Sequence, residues 1–282
     1  MSDVLRIAYG DFGRVALLDM DRPLVRHAHP HCHVLIKIEG ADSFFSVGDR
    51  LVPLTDTQAV LVNGWESHSY VHIPERPHTL ILALYIEPAW LEVFRTGWQA
   101  SGSPGFFTQP TGELSPLIRS ASQDLVAEMI ASPHARGNHE ELLAKLMIAV
   151  IERFSAWREN GGSIRSLATQ LMDFRIRRAI QAMRKDNIEG NDMNKLARKV
   201  GLSRAHFFRL FEANTHVSPR VYLNVIRVEA AVDASANSDE SFSVIGERLG
   251  FSAPTHFNRF FRDHLGVPPG EFRRVIRASS VE

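Results

Sequence analysis

Cysteine is nearly missing from this chain: 282 residues contain one, Cys32. A single thiol excludes an intrachain disulfide framework and fits a reducing compartment. No apolar run reaches the roughly 18 residues that a membrane-crossing helix needs. The opening segment MSDVLRIAYGDF has no basic stretch followed by an apolar one, so no secretory leader is expected and the expected location is cytoplasmic. A glycine-rich phosphate loop is absent too, and no nucleophile stands in an evident pairing with a base, so no enzyme is expected. Cys32 between histidines reads as an incidental or buried thiol. Net charge is zero, with 32 Lys+Arg against 32 Asp+Glu.

The zero conceals a division. Residues 173–282 carry 18 Lys+Arg and 13 Asp+Glu, a balance of +5, whereas residues 1–172 carry 14 and 19, a balance of −5. A basic C-terminal third on a neutral chain fits a nucleic-acid module attached to a second domain.

That third repeats itself. LARKVGLSRAHFFRLFEANTHVSPRVYLNVIR aligns with IGERLGFSAPTHFNRFFRDHLGVPPGEFRRVIR. An offset of 50 pairs His206 with His256, Phe207 with Phe257, Arg209 with Arg259, Phe211 with Phe261 and Pro219 with Pro269. Ahead of that block the offset is 49, pairing Gly201 with Gly250, so the second copy's turn holds one added residue. Each copy reads as helix, glycine turn, helix, over 192–214 and 242–265. Asp192 to Val200 is the first positioning helix, with Leu196, Ala197 and Val200 inward. Gly201 stops it and Ser203 caps the next helix. Phe207, Leu210 and Phe211 fall on that helix's core face. In the second copy Val244, Ile245 and Leu249 are expected inward, Gly250 is the stop, and Phe257, Phe260 and Phe261 form the core face. A connecting helix of about 19 residues, roughly 28 Å long, separates the copies. That is near the 34 Å or so of one duplex turn, so both second helices can enter successive major grooves.

The N-terminal part reads differently. Through about residue 90, runs such as VLIKI, SFFSV, AVLV and TLILALYI are β-branched and aromatic. Turn signals at Glu39-Gly40, Gly48-Asp49, Asn63-Gly64 and Pro74 to Pro77 separate them, which indicates an antiparallel sandwich or barrel. Helices follow from Ser115 to about Ala131 and from Glu140 to about Glu159. Leu142, Leu143, Leu146, Met147, Val150, Ile151 and Phe154 form an apolar stripe on the second, and such a helical pair beside a β domain either seals its core or pairs with a second subunit. Asn160-Gly161-Gly162-Ser163 is the expected linker. The fold class is α+β: a β-barrel or sandwich over 1–112, a helical dimerisation segment and linker over 113–162, and an all-α module over 168–282.

LGFSAPTHFNRFFRDHLGVPPGEFRR resembles the signature of AraC/XylS-type bacterial transcription regulators, and the first copy resembles their upstream helix-turn-helix. Gly246, where the family commonly has alanine, and the apolar Phe208 depart from the pattern. The resemblance implies a sequence-specific regulator that binds double-stranded DNA as a homodimer, with RNA polymerase contact possible and no membrane partner. It places base contacts at Arg204, Ala205, Phe208 and Arg209, and at Thr255, His256, Asn258 and Arg259. Arg209 and Arg259 are the strongest of these, because a guanidinium grips guanine O6 and N7 with two parallel bonds. Arg227, Arg273, Arg274 and Arg277 are expected on phosphates or as surface charge.

The string HAHPHCHVL sets histidines at 27, 29, 31 and 33, which on an extended chain share one face. The N-terminal part is similar to the cupin-like effector domains of the same family, with His68 matching their last histidine. Asn63 and Trp65 replace a proline and a glycine there, and no glutamate follows the histidines at the spacing of metal cupins. Three readings of the cluster stand: effector binding through imidazoles, structural histidines, and a bound transition metal. The reading carried forward is a small-molecule effector held by His29, His31, His33, Trp65 and His68, with no cofactor. A metal-dependent cupin enzyme with an appended DNA module is the alternative.

Overall fold

The run TLILALYI becomes the central strand of the molecule because both of its faces are covered. Ile81, Ala83 and Tyr85 point into the barrel, whereas Leu82, Leu84 and Ile86 point to the helices packed outside. Side chains alternate across a strand, so an unbroken apolar run marks burial on both sides. The computed structural model describes residues 3–155, 173–185 and 192–278.

Among these residues the strands are β1 (Asp3–Gly10), β2 (Gly13–Met20), β3 (Cys32–Gly40), β4 (Ser43–Val47), β5 (Arg50–Leu54), β6 (Gln58–Val62), β7 (His68–Val71), β8 (Thr79–Ile86) and β9 (Thr111–Glu113). They form a six-stranded sheet in the order β1-β2-β8-β3-β6-β9 and a three-stranded sheet in the order β5-β4-β7. The strand pairs are antiparallel. The smaller sheet closes on the inner face of the larger through Phe45, Val47, Val52, Leu54 and Tyr70, so side chains fill the barrel.

Helices α1 (Pro88–Phe94), α2 (Pro116–Ala131) and α3 (Arg136–Phe154) cover the outer face of the large sheet. Ser115 caps α2 by accepting from the Ile118 amide. Two expectations change here. The second helix starts at Arg136 rather than Glu140, and its stripe does not wait for a second subunit. Leu143, Leu146, Met147, Val150 and Ile151 are buried within the chain, against the sheet and α2. A stripe of that width is what a sheet face also requires, and periodicity does not distinguish the two partners. The expected linker at Asn160 to Ser163 and the helix end at Glu159 lie outside the described residues.

The C-terminal part comprises α4 (Phe174–Lys185), α5 (Met193–Lys199), α6 (Arg204–Thr215), α7 (Pro219–Asn237), α8 (Phe242–Arg248), α9 (Pro254–Leu265) and α10 (Pro269–Ala278). Asp192 caps α5, accepting from the amides of Asn194 and Lys195. Gly201 and Gly250 take φ of +74° and +78°, the left-handed turn a side chain resists. The residue added in the second copy moves its cap. Ser203 caps α6 through the His206 amide, but Ala253 occupies that place on α9 and makes no side-chain bond. Ser252 instead contacts His256 Nδ1 at 3.1 Å. Gly246 lets α8 lie close on α9, since a Cβ there would stand 3.0 Å from Phe257 Cβ. Val244, expected inward, is 46% exposed. No described helix is long and apolar enough to cross a membrane.

The two copies do not share one core. Phe207 and Phe211 pack with Ile176, Leu196, Val217 and Tyr222. Phe257, Phe261, Phe272 and Ile276 join the cluster that fills the barrel. The caps supply a matched test. Ser203→Ala is expected to cost about 1 kcal/mol and Ala253→Ser to gain up to about that much, both read by urea unfolding of the full chain.

Candidate functional site

Two features carry chemistry: a cavity where the barrel meets the helices, and the outward faces of α6 and α9. The cavity has a volume of about 500 Å³ and is lined from both halves, a size suited to a small molecule. The barrel contributes Tyr9, Arg14, His27, His29, His31, Tyr85 and Glu87, and α7 contributes Asn224, Val225, Val228, Glu229, Val232 and Asp233. Arg26, Arg184 and His264 add to the polar lining.

Arg14 comes in on β2, flanked by apolar neighbours, and its guanidinium carbon stands 4.0 Å from the centroid of the Tyr85 ring. Its Nε is enclosed without a partner, and so is Oε1 of Glu229. Burial lowers the Arg14 pKa and raises that of Glu229, in each case the largest influence. Enclosed charged atoms without partners are costly, so both groups gain from a ligand that pairs with them. At the rim, His31 Nε2 lies 2.9 Å from Glu87 Oε1. The hydrogen bond from His31 is the main cause that lowers the Glu87 pKa.

Of the five residues expected to hold an effector, the four histidines gather, His31 standing 5.3 Å from His29 between ring centroids, and Trp65 does not join them. Pro30 breaks the extended chain, so His31 turns to Glu87 while His29 and His33 turn inward. His29 meets His33 and His68 at ring centroid distances of 4.6 and 4.8 Å. His27 joins them, 4.4 Å from the His68 ring. Trp65 leaves the cluster altogether. It takes φ of +65°, a strained value for a bulky residue, and stacks on Tyr222 of α7 at 4.4 Å and 9°. His29 and His31 line the cavity, whereas His33 and His68 lie beneath it. His27, His29 and His68 can hold a metal ion, having one ring nitrogen each within 4.8 Å of the others.

Sequence reasoning left out Arg14 and Glu229, though each has a local signal. Arg14 interrupts an apolar strand. Glu229 shares its helix face with Val225 and Val232, at the four- and three-residue spacing of a buried stripe.

On the helical side, Arg204, Ala205 and Arg209 are exposed on α6, and Thr255, His256, Asn258 and Arg259 are exposed on α9. Phe208 is half-buried under the Arg204 guanidinium, 5.2 Å from its carbon. Arg204 Nη1 also donates to Asn194 Oδ1 at 3.0 Å, which steadies that arginine on the surface. The arginines expected on phosphates divide. Arg227 is buried over the Phe251 ring. Arg273 lies over Phe242 and donates to the Glu240 carbonyl, and Arg277 pairs with Asp239. These three fasten the helices to one another, and only Arg274 is exposed.

A β-barrel joined to a double helix-turn-helix, with a cavity at the join, defines a two-part class of protein. Residues 20–148 match the family description AraC-like ligand binding domain, and residues 196–275 match Helix-turn-helix domain. The chain belongs to the AraC/XylS family of transcriptional regulators. It is 27% identical over 137 residues to the Msm operon regulatory protein of Streptococcus mutans, covering 48% of this chain and 46% of that one. It is 27% identical over 136 residues to the HTH-type transcriptional regulator ExsA of Pseudomonas aeruginosa, covering 48% and 49%. The chain thus spans about half the length of these curated relatives. Among solved structures it is similar in fold to apo ToxT K231A of Vibrio cholerae, with a TM-score of 0.56 and 13% identity over 96% of this chain and 100% of that one.

The imidazoles set a pH dependence. Burial pulls the pKa of His33 and of His68 down to about 3. The unfolded chain takes up protons at these rings as pH falls through about 6.5, the folded chain only near 3, so acid favours unfolding in between. Urea unfolding in chelator-treated buffer should show stability falling from pH 7 toward pH 5, by up to about 1.4 kcal/mol per pH unit for each ring. A flat profile contradicts the neutral, enclosed state of these histidines.

Proposed function

We propose that this chain is a sequence-specific, DNA-binding transcription regulator rather than an enzyme, switched by a small molecule held in the cavity between its halves. One observation carries the reading: α7 is a wall of that cavity and also the helix that joins the two helix-turn-helix units. A ligand touching the middle of α7 touches the spacer between the two recognition helices. Switching then requires that the ligand bind one placement of those helices more tightly than another.

The chemistry of the effector follows from the lining. Arg14 calls for an anionic or carbonyl oxygen, and Glu229 for a donor or cationic group. The effector proposed is therefore a polar small molecule bearing both. A ToxT structure is described as bound to an unsaturated fatty acid. That likeness, at 12% identity, supports the fold only, and the paired charges here favour a more polar ligand.

Arg204, Ala205 and Arg209 on α6, and Thr255, His256, Asn258 and Arg259 on α9, are proposed to face the duplex, with Phe208 limited to its exposed edge. A homodimer and contact with RNA polymerase remain part of the proposal. For the dimer the supporting feature is α2, which carries exposed apolar residues, Leu117 and Ile130 at 67% and 51%, on its two flanks.

The test is DNA binding by the full chain. Arg209→Ala and Arg259→Ala should each lose about 1–3 kcal/mol of discrimination between operator and scrambled duplex, in gel shift at fixed salt, with circular dichroism unchanged. Unchanged discrimination in both variants overturns the assignment. Glu229→Gln should leave effector-free DNA binding intact and alter the response to the effector.

A further inference from the structure

Two histidines at the cavity, His27 in its wall and His68 beneath it, are held by the backbone in the form that binds a metal. His27 Nδ1 lies 2.9 Å from the carbonyl oxygen of Val25, and His68 Nδ1 lies 2.9 Å from that of Glu66. A carbonyl oxygen only accepts, so each Nδ1 carries the proton and donates, and each Nε2 keeps its lone pair. Metal-ligating histidines are commonly oriented by such a bond from the opposite ring nitrogen. His68 Nε2 is enclosed without a partner, and so are both nitrogens of His29. One nitrogen from each of His27, His29 and His68 falls within a 4.8 Å triangle. Donors at about 2.0–2.1 Å from a tetrahedral ion stand about 3.3–3.4 Å apart. Modest ring rotations therefore close the site.

We propose that His27, His29 and His68 form a binding site for a divalent transition-metal ion, with an all-imidazole donor set and an open coordination position toward the seam cavity. Neutral imidazoles without thiolate or carboxylate select zinc, cobalt or nickel over magnesium or calcium. His33 backs the site. Its Nδ1 donates to the Leu84 carbonyl at 2.9 Å, and its ring stands 4.6 and 5.0 Å from those of His29 and His68. Arg14 and Arg26 place positive charge near the rings, against a cation. Glu87 and Glu229 on the same cavity offset it.

The DNA-reading half reaches this site as well. His264, at the end of α9, also lines the cavity, with its ring 6.5 Å from that of His27. Its Nδ1 donates to the Phe260 carbonyl at 2.8 Å, leaving Nε2 as the acceptor. An ion here thus sits between the barrel and a recognition helix. That regulatory meaning rests on the function proposed above; the site itself does not.

The test uses the full chain stripped with chelator, and cobalt(II) as the probe. One equivalent should bind, with visible ligand-field bands of nitrogen coordination, a raised Tm, and displacement by zinc. His27→Ala, His29→Gln and His68→Gln, each first shown folded by circular dichroism, should weaken binding at least about tenfold, and His134→Ala should not. Wild-type chain showing neither bands nor a Tm rise with millimolar cobalt overturns the proposal whatever the variants do. So does a folded His27→Ala/His68→Gln chain that binds as tightly as wild type. No DNA enters these measurements, so a failed metal site and a failed regulator reading are distinguishable.

Discussion

One apolar core crosses the boundary between the barrel and the second helix-turn-helix, and the arrangement of everything else depends on it. Val4 and Ile7 of β1, Leu35 and Tyr85 of the large sheet, Ala231 and Val232 of α7, and Phe257, Phe272 and Val275 beyond belong to a single packed cluster. Buried apolar area stabilises by about 25 cal/mol per Å², so separating the halves would expose much of what holds each one. The Val25 amide donating to the Asp263 carbonyl, and Leu24 lying against Gly266, continue the same seam in polar and apolar form. A ligand site at such a boundary gains leverage, because packed interfaces have few alternative arrangements.

The asymmetry between the repeats follows. The first copy keeps its own core around Phe207 and Phe211 and touches the barrel through the stack of Trp65 on Tyr222. The second copy is built into the barrel. If the two recognition helices are to change their relative placement, the first has the smaller contact to give up. The strained backbone of Trp65 lies at that contact.

The repeat was legible at single-residue resolution because glycine turns, caps and phenylalanine spacing are local constraints. Gly201, Ser203, Phe207 and Phe211 behave as their spacing demands, and so do Gly250, Phe257 and Phe261. Val244 failed, since α8 buries Ile245 and Gly246 and leaves Val244 largely exposed. The stripe on α3 was legible as buried but its partner was not, since a sheet and a second subunit require the same pattern. The histidines do gather, His29 with His31, His33 and His68, though not along one face of an extended chain, which Pro30 breaks. Of the cavity, only His29 and His31 were legible in the sequence. Its wall is drawn from Tyr9 to Leu265, and no local signal announces that β1, α7 and the end of α9 will enclose one space. Arginines showed the same limit. Arg227, Arg273 and Arg277 look like phosphate ligands in sequence, and only the fold reveals that each is engaged within the chain.

Hydrogen exchange on the full chain tests the shared core most directly. If the core crosses the boundary, the slowest amides of β1, α7 and α10 should open with a common free energy and respond together to denaturant. Should α7 to α10 exchange in a separate, lower-energy opening while β1 and β8 stay protected, the two halves are independent units and the coupling described here does not exist.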